Sequence, residues 1–210
     1  MAWYSIWTAI AVSILLWGEA GGRHGVVRWA KPLASTAFVV AAATAPGAMT
    51  GYGALMLGGF VLSFAGDVLL ISRERTAFMA GLGSFLVAHL SFAAAFATRG
   101  IELVPFLVAL AVLLVAATLV WRGLAPRVSR SMLVPIAAYM AAIVFMCAAA
   151  VGTWRHGWLV PLGAIAFVLS DLSVARDRFV APGFVNRAWG LPLYYAAQLL
   201  LVASLRSDVL

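Results

Sequence analysis

The chain has 210 residues, of which 65% are hydrophobic and 10% are charged, and its mean hydropathy is +1.05. Soluble globular domains are nearer half apolar and one-quarter charged, so this composition excludes a soluble enzyme and a disordered tail. The net charge of +7 does not indicate a nucleic-acid-binding domain either, because the 14 basic residues are scattered among apolar runs rather than clustered on one face.

Eight apolar stretches follow one another along the chain, and each approaches the length of about 20 residues that crosses a bilayer. We predict spans at Trp3–Trp17, Pro32–Ala45, Gly51–Ile71, Ala77–Thr98, Glu102–Trp121, Met132–Thr153, Trp158–Ala175 and Trp189–Leu205. The connecting loops are too short for a soluble domain. The sequence therefore predicts an all-α integral membrane protein, a bundle of eight transmembrane helices that forms a single membrane domain over residues 1–210.

The basic residues predict an orientation for this bundle. Eleven of the 14 fall in or beside odd-numbered loops: Arg23, Arg28, Lys31, Arg73, Arg75, Arg122, Arg127, Arg130, Arg176, Arg178 and Arg187. Short loops rich in Lys and Arg remain in the cytoplasm. We therefore expect a multi-pass protein of the cell (inner) membrane, with both termini on the non-cytoplasmic side.

A tetrapeptide indicates an internal repeat. Phe-Val-Leu-Ser occurs at Phe60–Ser63 and again at Phe167–Ser170, and an aspartate follows each copy at a different offset, Asp67 in one and Asp171 in the other. Two halves of four helices would be parallel repeats related by an axis along the membrane normal.

The clearest functional candidates are Asp67 and Asp171, which lie inside predicted spans three and seven. An intramembrane carboxylate costs at least about 2.5 kcal/mol, so such a residue is a functional candidate by default. Each lies about four residues before the cytoplasmic end of its helix, or roughly 6 Å below the membrane surface at 1.5 Å per residue. The structural alternative is that each caps a neighbouring helix or reaches a basic loop residue such as Arg73 or Arg176.

Further polar residues lie in or beside the spans and are candidate supporting or substrate-binding residues: Lys31, His89, Tyr139, Ser170, Tyr195 and Gln198. Each also has a structural interpretation. His89 can be a packing residue, Ser170 can bond to its own helix, and Lys31 is either a snorkelling anchor or a phosphate contact. We interpret Tyr194 as a packing or interfacial residue. Asp177, Asn186 and the loop arginines are interpreted as mostly solvated, able to touch a lipid headgroup, and Glu19 receives no role.

Several catalytic motifs are missing from the sequence. It has no His-Glu-x-x-His segment, no Gly-x-Ser-x-Gly elbow, no phosphate-binding Walker loop and no Gly-x-Gly-x-x-Gly fingerprint. We therefore predict no metal and no cofactor, and an acid/base pair of carboxyl groups in a pocket open to lipid.

Five segments in series resemble the TMEM86/YhhN family. They are Lys31–Leu33, Gly66–Leu70, Gly83–His89, Gly163–Asp171 and Tyr194–Gln198. The resemblance implies an eight-helix membrane lysoplasmalogenase, which hydrolyses the vinyl ether bond of a lysophospholipid to a fatty aldehyde and glycerophosphoethanolamine or glycerophosphocholine. It also implies that Asp67 and Asp171 are the acid/base pair. Phe92 departs from the family pattern, in which we expect a tyrosine three residues after the histidine.

Two other functions remain open on the sequence alone. Paired intramembrane carboxylates also suit a proton-coupled small-molecule or lipid transporter. An enzyme of the same fold can also act on a different lysolipid. All of these readings involve membrane lipids as partners, and none involves nucleic acid.

Overall fold

The computed structural model describes residues 3–72 and 74–207, and within these ranges the chain is helical with no strand. The eight helices are α1 (Trp3–Ala20), α2 (His24–Ala43), α3 (Gly51–Leu69), α4 (Arg75–Thr98), α5 (Leu103–Leu124), α6 (Arg130–Gly152), α7 (Leu159–Phe179) and α8 (Phe184–Ser207). Of the described helices, α2 to α8 are long and apolar enough to cross a membrane. The predicted fold class, an all-α multi-pass membrane protein, is confirmed. Arg73 of the predicted third loop lies outside the described residues.

Helix α2 begins two turns before its predicted start at Pro32, and that predicted boundary is wrong. The helix runs unbroken through Arg28, Lys31 and Pro32. Long basic side chains tolerate such positions, because their apolar stems can pack while the charged group reaches a polar site. Pro32 lacks only one backbone donor, and the helix continues past it without a break. As a result, Lys31 is carried on a helix into the bundle.

Glycines let two pairs of helices approach closely. In the α3–α4 pair, a Cβ on Gly66 would lie 2.6 Å from the Phe85 ring, and in the α7–α8 pair a Cβ on Gly190 would overlap the Ser173 hydroxyl. Because neither contact leaves room for a side chain, these glycines set how near the helices pack. The close approach brings the polar residues of α3 and α7 next to those of α4 and α8.

Aromatic rings fill the middle of the bundle. Phe38, Phe60, Phe92 and Phe167 are completely buried, and Phe60 and Phe92 stack edge to face at 5.2 Å between ring centroids. Helix α5 lies at the edge of the bundle, where Leu124 is its one buried residue. We call the end of the bundle where α1, α3, α5 and α7 finish the arginine-rich end. A cavity opens between this end and the aromatic core.

Candidate active site

One cavity of about 730 Å³ extends from the arginine-rich end towards the aromatic core. Its volume lies in the range of about 300–1,000 Å³ that small-molecule pockets usually have. Asp67 near the end of α3 and Asp171 on α7 both line it. The two aspartates singled out in the sequence therefore share one cavity.

Asp67 is surrounded by hydrogen-bond donors. Its side chain is 3% exposed, and the Lys31 ammonium group lies 3.3 Å from Oδ1. The hydroxyls of Ser35 and Tyr194 donate to Oδ2 at 2.7 and 2.6 Å. A cation and two hydroxyl donors stabilise the negatively charged form of a carboxyl group. The cation and the two hydroxyl donors around Asp67 thus come from α2 and α8.

Asp171 has a different environment. Its side chain is 19% exposed to the cavity, and among the described residues its hydrogen bond comes from the Tyr139 hydroxyl of α6, which donates to Oδ2 at 2.6 Å. His89 Nε2 lies 3.9 Å from the same oxygen, which is beyond hydrogen-bonding distance. Among the ion pairs of the described residues, none joins Asp171 to a lysine or an arginine. This carboxyl group therefore lacks the cation that its counterpart has.

The remaining predicted supporting residues fall into two groups. Ser170 lines the cavity beside Asp171. Tyr195 is buried behind Lys31, and its hydroxyl lies 3.1 Å from Ser35 Oγ and donates to the Lys31 carbonyl oxygen at 3.3 Å. Tyr195 thus supports the helix that carries Lys31 and does not reach Asp67 directly.

His89 and Gln198 lie deeper than the cavity wall, and both are completely buried. The His89 ring packs edge to face against Phe167 at 4.8 Å and Tyr139 at 5.2 Å between ring centroids. The Gln198 amide lies near the Tyr194 hydroxyl but makes no hydrogen bond of normal geometry to any described residue. The structure therefore places both residues behind the carboxyl groups.

Two residues in contact with Asp67 were missed or misassigned by the sequence analysis. Ser35 was not singled out, although it lies one helical turn after Lys31 and so on the same face of α2. Tyr194 was interpreted as a packing residue, and that interpretation is wrong because its hydroxyl donates to Asp67. The rotation of α8 about its axis decides which of two adjacent tyrosines meets the carboxylate, and the sequence alone does not give that rotation.

A charged network forms the mouth of the cavity. Arg187 bridges Glu19 at 2.6 Å and Asp177 at 3.1 Å, and thereby joins α1 to α7 and α8. Asn186 is 1% exposed and donates to Asp177 and to the Ala181 carbonyl oxygen. The interpretation of Asp177 and Asn186 as mostly solvated is therefore wrong, and Glu19, which received no role, helps to hold the mouth together.

The far wall of the cavity is apolar. Leu113, Ala117 and Val120 of α5 and Ile136 and Ile143 of α6 line it. Because the opposite face of α5 is exposed, this wall separates the cavity from the surrounding lipid by a single helix. The cavity thus combines a charged mouth, two carboxyl groups and an apolar extension.

No group of three His, Cys, Asp or Glu side chains converges among residues 3–72 and 74–207 in a way that can hold a metal ion. The polar groups that line the cavity are carboxyl groups, hydroxyls, lysine and arginine side chains, the His24 imidazole and the Asn186 amide.

The sequence matches the YhhN family over residues 27–205. It is 32% identical to the lysoplasmalogenase TMEM86A of Bos taurus over 70% of this chain and 62% of the relative. It is 36% identical to the human lysoplasmalogenase TMEM86B over 76% of this chain and 67% of the relative. The lysoplasmalogenase of Mycobacterium tuberculosis (strain CDC 1551 / Oshkosh) is 31% identical over 70% of this chain and 59% of the relative.

The matched part of this chain thus spans about three-fifths of the length of the bovine relative. No solved structure matches the chain.

Proposed function

Because this chain belongs to the YhhN family, whose similar members are named lysoplasmalogenases, we propose that it is a membrane hydrolase of that type. It cleaves the vinyl ether bond of a lysoplasmalogen and releases a fatty aldehyde and glycerophosphoethanolamine or glycerophosphocholine. The observation that carries this proposal is that Asp67 and Asp171 line the same cavity but have different neighbours. Asp67 is next to Lys31, whereas Asp171 is hydrogen-bonded to Tyr139.

The chemistry of the substrate explains why such a pair is useful. A vinyl ether resists base and yields to acid, because a proton added to the carbon β to oxygen leaves an oxocarbenium ion. Water then adds to the cationic carbon, and the resulting hemiacetal separates into an aldehyde and an alcohol. Glycosidases handle a similar cation with two carboxyl groups, one as proton donor and one to stabilise charge.

Asp171 suits the role of proton donor. It lines the cavity, and within the part of the chain that the structure describes its hydrogen-bond donor is Tyr139 and it has no ion pair with a lysine or arginine. In the proposed mechanism Asp171 enters the reaction as the protonated acid, because none of the described ion pairs gives it a lysine or arginine that would favour the carboxylate. After it protonates the alkene carbon, Asp171 is a carboxylate, and it recovers its proton from the water that adds to the oxocarbenium ion.

Asp67 suits the role of charge stabiliser. Lys31, Ser35 and Tyr194 fix its oxygen atoms in place as a carboxylate before the substrate arrives. A preorganised negative charge lowers the energy of a transition state in which positive charge develops, and it does so without reorganising during the reaction. The acid and the charge stabiliser thus differ through their neighbours, although both are aspartates.

The shape of the cavity suits a lysolipid. Arg178 at the mouth carries a positive charge where a phosphate would lie, whereas Arg187 is paired with Glu19 and Asp177. The apolar wall of α5 and α6 suits the alkenyl chain. In a lysoplasmalogen the vinyl ether joins the glycerol backbone to this chain, so it would lie between the charged mouth and the apolar extension, where the two carboxyl groups are.

The test is aldehyde release by the purified protein in detergent micelles. We expect aldehyde from ethanolamine and choline lysoplasmalogens, none from the saturated ether analogue, and the same rate after treatment with a chelator. A proton-coupled transporter would release no aldehyde, because micelles offer no second compartment. An absence of aldehyde, or fatty acid release from an ester lysolipid instead, would contradict the proposal.

A further inference from the structure

Three polar side chains lie one helical turn behind the carboxyl groups, and we call them the polar layer: Ser63, His89 and Gln198. Ser63 precedes Asp67 by four residues on α3, and Gln198 follows Tyr194 by four on α8. All three are completely buried. Their five side-chain nitrogen and oxygen atoms make no hydrogen bond to any part of the chain that the structure describes.

The helix packing brings the polar layer to a common depth. Gly59 of α3 faces Phe92 of α4, and Gly66 faces Phe85, so the turn that holds Ser63 lies level with the turn that holds His89. On the other side, the Phe167 ring contacts both the His89 ring at 4.8 Å and the Tyr194 ring at 5.4 Å. Gln198 is one turn deeper than Tyr194 and therefore lies near this level.

Such a cluster is expensive to bury without partners. Nearly all buried polar groups in native proteins are hydrogen-bonded, either to the protein or to ordered water. Buried water usually makes about three hydrogen bonds to polar groups of this kind. His89 Nε2 lies 3.9 Å from Asp171 Oδ2, which is too long for a direct hydrogen bond, so the carboxyl group does not satisfy this ring nitrogen.

We propose that the polar layer binds ordered water and supplies the water molecule that the hydrolysis consumes. This inference rests on the proposed function. Once a lysolipid fills the cavity from the mouth, water must reach the reacting carbon from another side, and the polar layer lies on the opposite side of the carboxyl groups.

Asp171 gives its proton to the alkene carbon, which leaves an Asp171 carboxylate and an oxocarbenium ion. The oxygen of the water next to His89 then forms a bond to the cationic carbon, and the water proton returns to Asp171. The products of this step are a hemiacetal and a protonated Asp171, and the hemiacetal collapses to an aldehyde and an alcohol.

Two substitutions test the inference, Ser63→Ala and Gln198→Met, with Thr8→Val as the matched control. The Thr8 hydroxyl is buried but bonds to its own helix on α1, away from the cavity. We expect each test variant to lose at least about tenfold in kcat, with KM little changed. We expect their Tm to be unchanged or higher, because an apolar group replaces a buried polar group without a protein partner.

A second readout separates water delivery from packing. Methanol added to the assay competes with water for the oxocarbenium ion and gives a mixed methyl acetal instead of the aldehyde. Because this competition follows protonation, the ratio of acetal to aldehyde is independent of how fast the proton is transferred. We expect this ratio to rise severalfold in both test variants and to stay at the wild-type value in Thr8→Val.

A wild-type ratio in both test variants would overturn the inference, and so would a lowered Tm with unchanged kcat. Aldehyde release by the wild-type protein distinguishes this outcome from a failure of the proposed function. If the proposed function is wrong, the wild-type protein itself releases no aldehyde.

Discussion

At the scale of single residues, one lysine makes the two aspartates unequal. Asp67 and Asp171 each accept a hydroxyl donor from the preceding even-numbered helix, from Ser35 of α2 and Tyr139 of α6 respectively. Lys31 lies beside Asp67, and no equivalent cation accompanies Asp171 among the described residues. We attribute the proposed roles of Asp67 as charge stabiliser and Asp171 as proton donor to this difference.

The variant Lys31→Met tests that role. It removes the cation but leaves Asp67 buried, and breaking a buried ion pair in this way costs about 3–5 kcal/mol of stability. We expect a clear fall in Tm and in aldehyde release. In the double variant Lys31→Met with Asp67→Asn, Tm should recover because neither charge remains, while activity should not. A Lys31→Met protein with normal Tm and normal turnover would contradict this account.

The sequence predicts the two acids but not their partners. Asp67 and Asp171 stand out because charged groups are rare and costly inside apolar spans. Ser35 and Tyr194 do not stand out, because serine and tyrosine are common in membrane helices. Their roles depend on how far each helix is rotated about its axis, and the long-range packing of aromatic rings determines that rotation.

At the scale of helices, the α3–α4 contact positions the ring that supports Tyr194. Gly66 precedes Asp67 and leaves space for Phe85, whose ring packs edge to face against Tyr194 at 5.9 Å between centroids. Phe85 is almost fully buried and has little room to move. The geometry of the donor to Asp67 therefore depends on a glycine that takes no part in the chemistry.

The variant Gly66→Ala should disturb this contact. Its Cβ would lie 2.6 Å from the Phe85 ring, and overpacking of this kind costs about 1–3 kcal/mol. We expect a lower Tm and a lower kcat, measured by thermal unfolding and aldehyde release. Gly83→Ala is the matched control on α4, where a Cβ meets nothing within 4 Å. If the two alanine variants behave alike, the contact has no such role.

The start of α2 shows where sequence patterns fail for helices. Arg28 and Lys31 read as a loop that ends at Pro32, because charges and proline usually mark the end of a membrane span. In the structure all three are helical: Lys31 reaches Asp67 through its long stem, and the helix absorbs the one donor that Pro32 lacks. The other helices were easier to predict, since long apolar runs leave few alternatives within a membrane.

At the scale of the whole molecule, the site has the arrangement that the predicted parallel repeat would produce. Ser35 and Tyr139 lie 104 residues apart, as do Asp67 and Asp171, and each hydroxyl donates to the acid of its own half. Each acid also faces the other half, since Tyr194 of α8 bonds to Asp67 and His89 of α4 lies beside Asp171. The repeat remains a prediction, and this geometry supports it.

The orientation of the bundle is also a prediction, and cysteine labelling tests it. Cys147 is buried, so a Cys147→Ala protein provides a background without cysteine for Ser129→Cys and Arg155→Cys, two exposed positions at opposite ends of the bundle. An impermeant maleimide added to spheroplasts should label the cysteine at position 155 and should reach position 129 only after lysis. The reverse pattern would place the arginine-rich end, and with it the mouth of the cavity, on the outer side.

The most direct measurement is aldehyde release from lysoplasmalogen by Asp67→Asn, Asp171→Asn and the double variant, with Glu102→Gln as a control carboxylate at the opposite end of the bundle. We expect each single substitution to lower kcat at least about 100-fold in a folded protein. The effects of substituting groups that act as a unit are not additive. The kcat of the double variant should therefore be within about threefold of the kcat of the less active single variant. Near-normal turnover by either single variant, or losses that multiply in the double variant, would contradict a shared site.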